Sequence, residues 1–433
     1  MKHLRHRLLI CIILTFTLML IAGILFIRIG KKTPTLSDQI HQAEILCKWL
    51  IKKNTRRRLA DYTTGHFTWD SENSPRSWTY YNGMMMDAFA RMGELDFVKN
   101  FYEANILPDG KINNIFNPQN LFTVNAVDSV EPARAIFSLD TSAYKDTLLF
   151  IYRYLAQYPT SSNIGNNYLH KLRDPRWETY IFALDGLYMA LPFLAQMANQ
   201  PPSWKCFQDI NTAETYGTIF DRMEWVASHL KDEITGLYYH GTDKNGDHNE
   251  VVWLRGAGYY AMTQADLIEL LPDGERKEKL KRNLLSFLDA MLQNQDSQTG
   301  MWRNVVNTTD DLPDNRLETS GSAMIAYTLM KTYNDGITPD IKYLHAGLKA
   351  FQGIMSGKFR KKILGYSVSD IYKSSSVFSE PAMYCLNGKY VENEAKGLAP
   401  LFFATAEAKK WLTKSSAITK NKIPKEYPDT NPH

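Results

Sequence analysis

Asp232-Glu233-Ile234-Thr235-Gly236-Leu237-Tyr238 is echoed 64 residues later by Asp296-Ser297-Gln298-Thr299-Gly300-Met301-Trp302. In both copies an Asp stands three residues before a Thr-Gly pair, and an aromatic closes the motif. Glycine allows a tight turn between helices, and the aromatic after it re-enters packed structure. Leu364-Gly365-Tyr366 repeats the interval once more, and Asp109-Gly110 lies two intervals earlier, whereas Asp174-Pro175 fits loosely. A repeat of this length holds two helices and their loops. Six such units fill the chain beyond its N-terminal segment. The pattern predicts six helical hairpins closed into an (α/α)6 toroid, with an open solenoid of helix pairs as the alternative.

Helical periodicity supports this reading from Ser37–Lys52 onward. It recurs at Tyr80–Met92, Val130–Leu139, Ser142–Gln157, Thr179–Ala198, Thr212–Leu230, Gly258–Leu271, Glu275–Leu292, Thr319–Thr332, Ile341–Met355 and Leu401–Thr413. Pro400 suits a helix start. Strand-like alternation is sparse, so the expected class is all-α. Residues 33–414 then form the toroid, and the polar stretch 415–433 is expected to be a loose tail.

The first 32 residues stand apart. Leu8 to Ile27 is an apolar run long enough to span a bilayer, flanked by Lys2, Arg5 and Arg7 and by Arg28, Lys31 and Lys32. Such a segment is a signal peptide or a membrane anchor. No clear cleavage site follows, which favours an anchor with the folded body exported, periplasmic in a double-membraned cell. Without those six bases the remainder carries 44 basic and 46 acidic residues. That excludes a basic nucleic-acid footprint. Four scattered cysteines supply neither a disulfide framework nor a zinc site. No motif demands a metal or a cofactor, and oligomeric state is left open.

Candidate chemistry centres on Asp185, the only charged residue between Thr179 and Trp204. Read as one helix buried nearly all round, this segment would strip the carboxylate of water and raise its pKa toward neutrality. A structural Asp paired with an Arg or a helix end is the plainer reading. Asp128 is a second acid of interest, although Asp is also a favoured helix cap. Glu318 has a similar capping reading. Several loops combine aromatics with titratable groups, and flat rings stack well on sugars. Among these are His170 after Tyr168, His240 after Tyr238 and Tyr239, Trp253 with Arg255, and Tyr80 after Trp78. Each residue alone could be structural, since buried polar groups usually have partners.

Leu184-Asp185-Gly186-Leu187-Tyr188-Met189-Ala190, Trp253-x-Arg255-Gly256-x-Gly258, Glu318-Thr319-Ser320-Gly321-Ser322-Ala323-Met324 and Tyr390-Val391-Glu392-Asn393-Glu394-Ala395-Lys396-Gly397 resemble glycoside hydrolase family 105, which is akin to family 88. The resemblance runs in order from about Trp78 to Ala406. It implies an (α/α)6 barrel that removes a 4,5-unsaturated uronic acid from the non-reducing end of lyase-generated oligosaccharides. Asp185 matches the family's catalytic Asp, which would protonate C4 and activate water to attack C5. Asp128 matches a second active-site Asp. His170, His240, Tyr80, Trp253 and Arg255 match pocket residues, with Arg255 suited to the uronate carboxylate. Tyr259 is expected to bind substrate where relatives often carry Trp, and Ala257 replaces a frequent Asn or Met. Other readings are an ordinary glycosidase with Asp128 and Asp185 as a carboxylate pair, an epimerase leaning on His170 and His240, and a non-catalytic carbohydrate-binding protein.

Overall fold

The computed structural model describes residues 34–57, 78–112, 126–170, 179–204, 210–308 and 311–422. The chain divides into two units, Met1–Gln39 and Ile40–His433. In the first, the described residues hold a reciprocal cap: Thr35 N and Oγ1 donate to Asp38 Oδ2, each at 2.8 Å, and Asp38 N donates back to Thr35 Oγ1. The apolar run Leu8–Ile27 lies outside the described residues. Among the described residues, no helix is long and apolar enough to cross a membrane.

In chain order the helices begin with α1 (Leu36–Arg57), α2 (Tyr80–Arg91), α3 (Leu95–Asn105), α4 (Lys145–Ala156), α5 (Asp185–Ala198) and α6 (Thr212–His229). They continue with α7 (Leu254–Leu270), α8 (Glu275–Gln293), α9 (Thr319–Asn334), α10 (Ile341–Gly357), α11 (Met383–Leu386) and α12 (Ala395–Lys422). Between α3 and α4 lies a 3-10 segment, Val127–Ser138.

Ile40–His433 is built around a circle. Helix α2, the 3-10 segment, α5, α7, α9 and α12 each pack on the next, and α12 packs back on α2. This closure selects the ring over the open solenoid. Composition explains which helices lie inside. Every residue of α7 from Leu254 to Ile268 is buried, as is all of α9 except Tyr333. Helices apolar all round belong in a core. Outer helix α10 instead buries one stripe, Tyr343, Leu344, Gly347, Ala350, Phe351, Ile354 and Met355. Leu401, Phe402 and Phe403 are fully buried in α12, and such side chains each stabilise packing by about 2 kcal/mol.

The repeated motif forms the same turn twice. Asp232 and Asp296 each accept from the hydroxyl three residues on, Thr235 and Thr299, and the following glycine N–H donates to the Asp carbonyl. Gly236 and Gly300 take φ of 74° and 73°. Gly365 differs: it closes the hairpin between the strands Phe359–Lys362 and Gly365–Val368. Asp174-Pro175 lies outside the described residues.

Three expectations need correction. Val130–Leu139 is the 3-10 segment, because Pro132 has no N–H for an α-helical ladder. The last helix starts at Ala395, not after Pro400, with Lys396 N donating to Glu394 Oε2 at 2.7 Å. It continues to Lys422, so the first part of the expected loose tail is helical. Thr179–Ala198 is not one helix, and this bears directly on Asp185. Tyr180–Ala183 is a strand, paired antiparallel with Gly241–Asp243. The strands are two to four residues long and the class remains all-α.

Candidate active site

Extended chain lines up the candidate residues by backbone hydrogen bonds. Val127 N donates to His170 O, His170 N to Ile181 O, Leu184 N to His240 O, and His240 N to Val251 O. Asp128, His170, Asp185 and His240 are thereby held on neighbouring segments, with Trp253 two residues past the last. Asp128, His170, Asp185 and Trp253 border a cavity of about 300 Å3 that is also lined by Tyr80, Arg255, Met189, Phe378, Asn387 and the run Ser374–Ser376. It lies at the N-terminal ends of inner segments. Tyr80 opens α2, Asp128 stands in the first turn of the 3-10 segment, Asp185 opens α5, and Trp253 caps α7.

Asp185 is thus a helix N-terminal residue, not an acid in mid-helix. Its Oδ2 lies 3.0 Å from His240 Nε2. Burial pushes the carboxyl up. The hydrogen bond from His240, with His170 and Arg255 close by, outweighs it and holds the carboxyl below its ordinary value. The expected rise toward neutrality is therefore reversed in the free site. The sequence showed the apolar neighbours but not the two histidines and the arginine facing the acid.

Counting donors assigns the His240 tautomer. Asn249 Oδ1 accepts from Gly241 N, so its Nδ2 is the donor to Tyr384 OH at 3.0 Å. Phe378 N also donates to that hydroxyl, at 3.1 Å. A phenol oxygen with both lone pairs engaged gives its own hydrogen to the remaining partner, His240 Nδ1 at 2.7 Å. Nδ1 is the acceptor and Nε2–H the donor to Asp185. His240 itself is buried behind Asp185 and does not line the cavity, with Gly256 against its ring. A Cβ on Gly256 would stand 2.7 Å from His240 Cδ2, so only glycine fits this approach.

Arg255 is fixed by its own contacts. Nη1 donates to Tyr372 O and, at 3.2 Å, to Ser320 Oγ, while the guanidinium lies over the Trp253 ring at 4.6 Å. Trp253 Nε1 donates to Asn304 Oδ1. Burial lowers the pKa of Arg255, but Tyr259, Glu318, Tyr80 and Glu394 raise it net. His170 Nε2 stands 3.8 Å from Asp128 Oδ1.

One predicted residue falls elsewhere, and Glu318 takes the capping role read from the sequence. Tyr259 is buried outside the cavity wall, its hydroxyl 3.6 Å from Met84 Sδ, because it sits one helical turn below Arg255. Glu318 caps α9, accepting from Ser320 N and Gly321 N, and also holds Tyr372 N. Sequence reasoning missed Ser374–Ser376, Phe378 and Tyr384. The serine triplet was a visible signal, whereas nothing around Tyr384 distinguishes it from a core tyrosine.

A closed helical ring with an acid, an arginine and aromatic rings around one cavity suits a carbohydrate-active protein. The Glycosyl Hydrolase Family 88 model matches residues 43–412. The chain belongs to that family and is a glycoside hydrolase. It is 26% identical over 199 residues to Protein Atu3128 of Agrobacterium fabrum, covering 41% of this chain and 84% of that one. It is 32% identical over 106 residues to the unsaturated rhamnogalacturonyl hydrolase YesR of Bacillus subtilis, covering 24% of this chain and 29% of that one. Among solved structures, a family 105 glycoside hydrolase of C. acetobutylicum is similar with a TM-score of 0.66 at 22% identity. That likeness covers 84% of this chain and 99% of that one, and concerns the fold.

Proposed function

We propose that the chain removes a 4,5-unsaturated uronic acid from the non-reducing end of an oligosaccharide by hydrating its C4=C5 bond. The observation that carries this is the Asp185–His240 pair set beside Arg255 at one cavity. The substrate is an enol ether bearing a carboxylate. Arg255 and the helix N-termini around the cavity favour that anion. Asp185 is ionised in the free site; a bound uronate and loss of water both favour its protonated form, so a proton enters with the substrate. Asp185 gives this proton to C4 and leaves an oxocarbenium at C5. Water attacks C5 and returns a proton to Asp185. The hemiketal opens as the C5–ring-oxygen bond breaks, and the hemiacetal left at C1 expels the remaining sugar chain. Asp128, near His170, positions the water or substrate hydroxyls. The match to YesR supports the substrate class.

The test follows the ultraviolet absorbance of the C4=C5 bond in a panel of lyase-generated disaccharides. Wild type should remove it. Asp185→Asn should lose about a thousandfold in kcat while binding the disaccharide within a few-fold, a loss in the range of general acid–base catalysis. A second reading is an ordinary glycosidase, favoured by Asp128 and Asp185 lining one cavity. It predicts an inert unsaturated panel and cleavage of saturated glycosides. We further propose that Leu8–Ile27 anchors an exported body.

A further inference from the structure

A second cleft, of about 370 Å3, opens between α4 and α6 and contains none of the residues of the first cavity. Its wall includes Arg222, which is 6% exposed. Among the described residues, Nε and Nη1 of Arg222 make no hydrogen bond. Glu214 also lines the cleft but forms no ion pair with Arg222, whose guanidinium lies over the Tyr168 ring at 3.8 Å. A buried guanidinium without a direct ion pair is costly, even with one carboxylate elsewhere in the cleft. An anion arriving from outside would complete the site.

The rest of the wall narrows the choice of anion. Tyr152, Tyr158 and Tyr168 contribute aromatic lining, and Tyr158 meets Tyr168 edge to face at 5.9 Å. Thr215, whose hydroxyl lies 3.2 Å from Tyr152 OH, and Thr218 supply hydroxyls on the same side. Aromatic lining, hydroxyls and one fixed fork of donors match a pyranose-sized ring carrying an oxyanion. We propose that this cleft is an accessory binding site for an acidic sugar, with Arg222 holding its carboxylate or sulfate. The site stands independently of the reaction proposed for the first cavity.

The two anion sources are distinguished by titrating the full-length chain calorimetrically with sodium D-glucuronate, sodium sulfate and D-glucose. Glucuronate should show a binding component that weakens at least tenfold in Arg222→Gln and persists in Asp185→Asn. Sulfate should compete with that component, and glucose should lack it. Circular dichroism checks the fold of each variant. Should Arg222→Gln unfold, Thr218→Trp, which obstructs the cleft and leaves Arg222 in place, must abolish the same component. Glucuronate binding that is identical in wild type and in a folded Arg222→Gln would overturn the site. Equal Arg222-dependent binding of glucose would overturn its charge recognition, and sulfate binding without glucuronate binding would overturn its preference for a sugar.

Discussion

Tyr384 never touches the cavity, yet its hydroxyl fixes which nitrogen of His240 faces Asp185. Tyr384→Phe removes the donor to Nδ1 and the acceptor of Phe378 N, while Asn249 Nδ2 keeps Phe378 O. Nε2 is then no longer bound to carry the hydrogen. We expect kcat to fall about tenfold, consistent with a lost buried hydrogen bond of roughly 1–3 kcal/mol. The pH profile should change shape as well, which a purely structural loss would not do. The wild-type profile also has a predicted sign. Because the carboxyl of Asp185 is held low in the free protein, its protonated fraction grows as pH falls. Thus kcat/KM for an unsaturated disaccharide should rise from about pH 8 toward about pH 5 if proton donation to C4 limits the rate; a profile rising with pH would assign Asp185 as a base only. Asp185 and Arg255 were legible in the sequence, since a charge amid apolar residues has few explanations. Tyr384 was not, because its importance comes from partners 6, 135 and 144 residues away.

At the scale of elements, the segment around Asp185 shows how an apolar run conceals a boundary. Tyr180–Ala183 and α5 are both apolar, and a strand of four residues is too short to impose its own period. The boundary places the acid at a helix N-terminus, where negative charge is favoured. Asp185 thus reaches the cavity wall, where burial is opposed by His240, His170 and Arg255 and the expected pKa direction is reversed. Helix α7 makes the complementary contribution through Gly256. In Gly256→Ala the new methyl would force the His240 ring away from Asp185. Overpacking of this kind costs about 1–3 kcal/mol. Activity should drop at least tenfold while the far-ultraviolet circular dichroism remains that of the wild type; full activity would show that the ring has room to shift.

For the whole molecule, the ring encloses charge as well as apolar surface. Arg134 Nη2 donates to Asp266 Oδ2 at 2.8 Å, Tyr327 OH donates to Asp266 Oδ1 at 2.8 Å, and Arg91 Nη1 donates to Tyr327 OH at 2.9 Å. These residues join α2, the 3-10 segment, α7 and α9. Burial raises the Asp266 carboxyl, but Arg134, Arg91, Lys331 and the Tyr327 hydrogen bond bring it below its ordinary value. A carboxyl depressed on folding contributes stability that is complete above its unfolded pKa and fades as pH falls through the folded one. Asp266→Asn should lower stability near neutrality by about 3 kcal/mol, because Arg134 loses its buried partner. Urea unfolding at several pH values should show this difference shrinking in acid; a constant difference would exclude the charge pairing as its cause.

The ring was legible from the repeat turns because Asp, Thr and Gly recur at fixed places for local hydrogen-bonding reasons. Its closure was not, since no local pattern says that α12 meets α2. That closure has a consequence for assembly in time. The final wall to emerge during synthesis is the neighbour of one of the first, and some 300 residues separate them. Until α12 arrives, the apolar flanks of α2 and α9 face an open gap. Closing the ring therefore depends on contacts between segments far apart in sequence, a topology that slows folding.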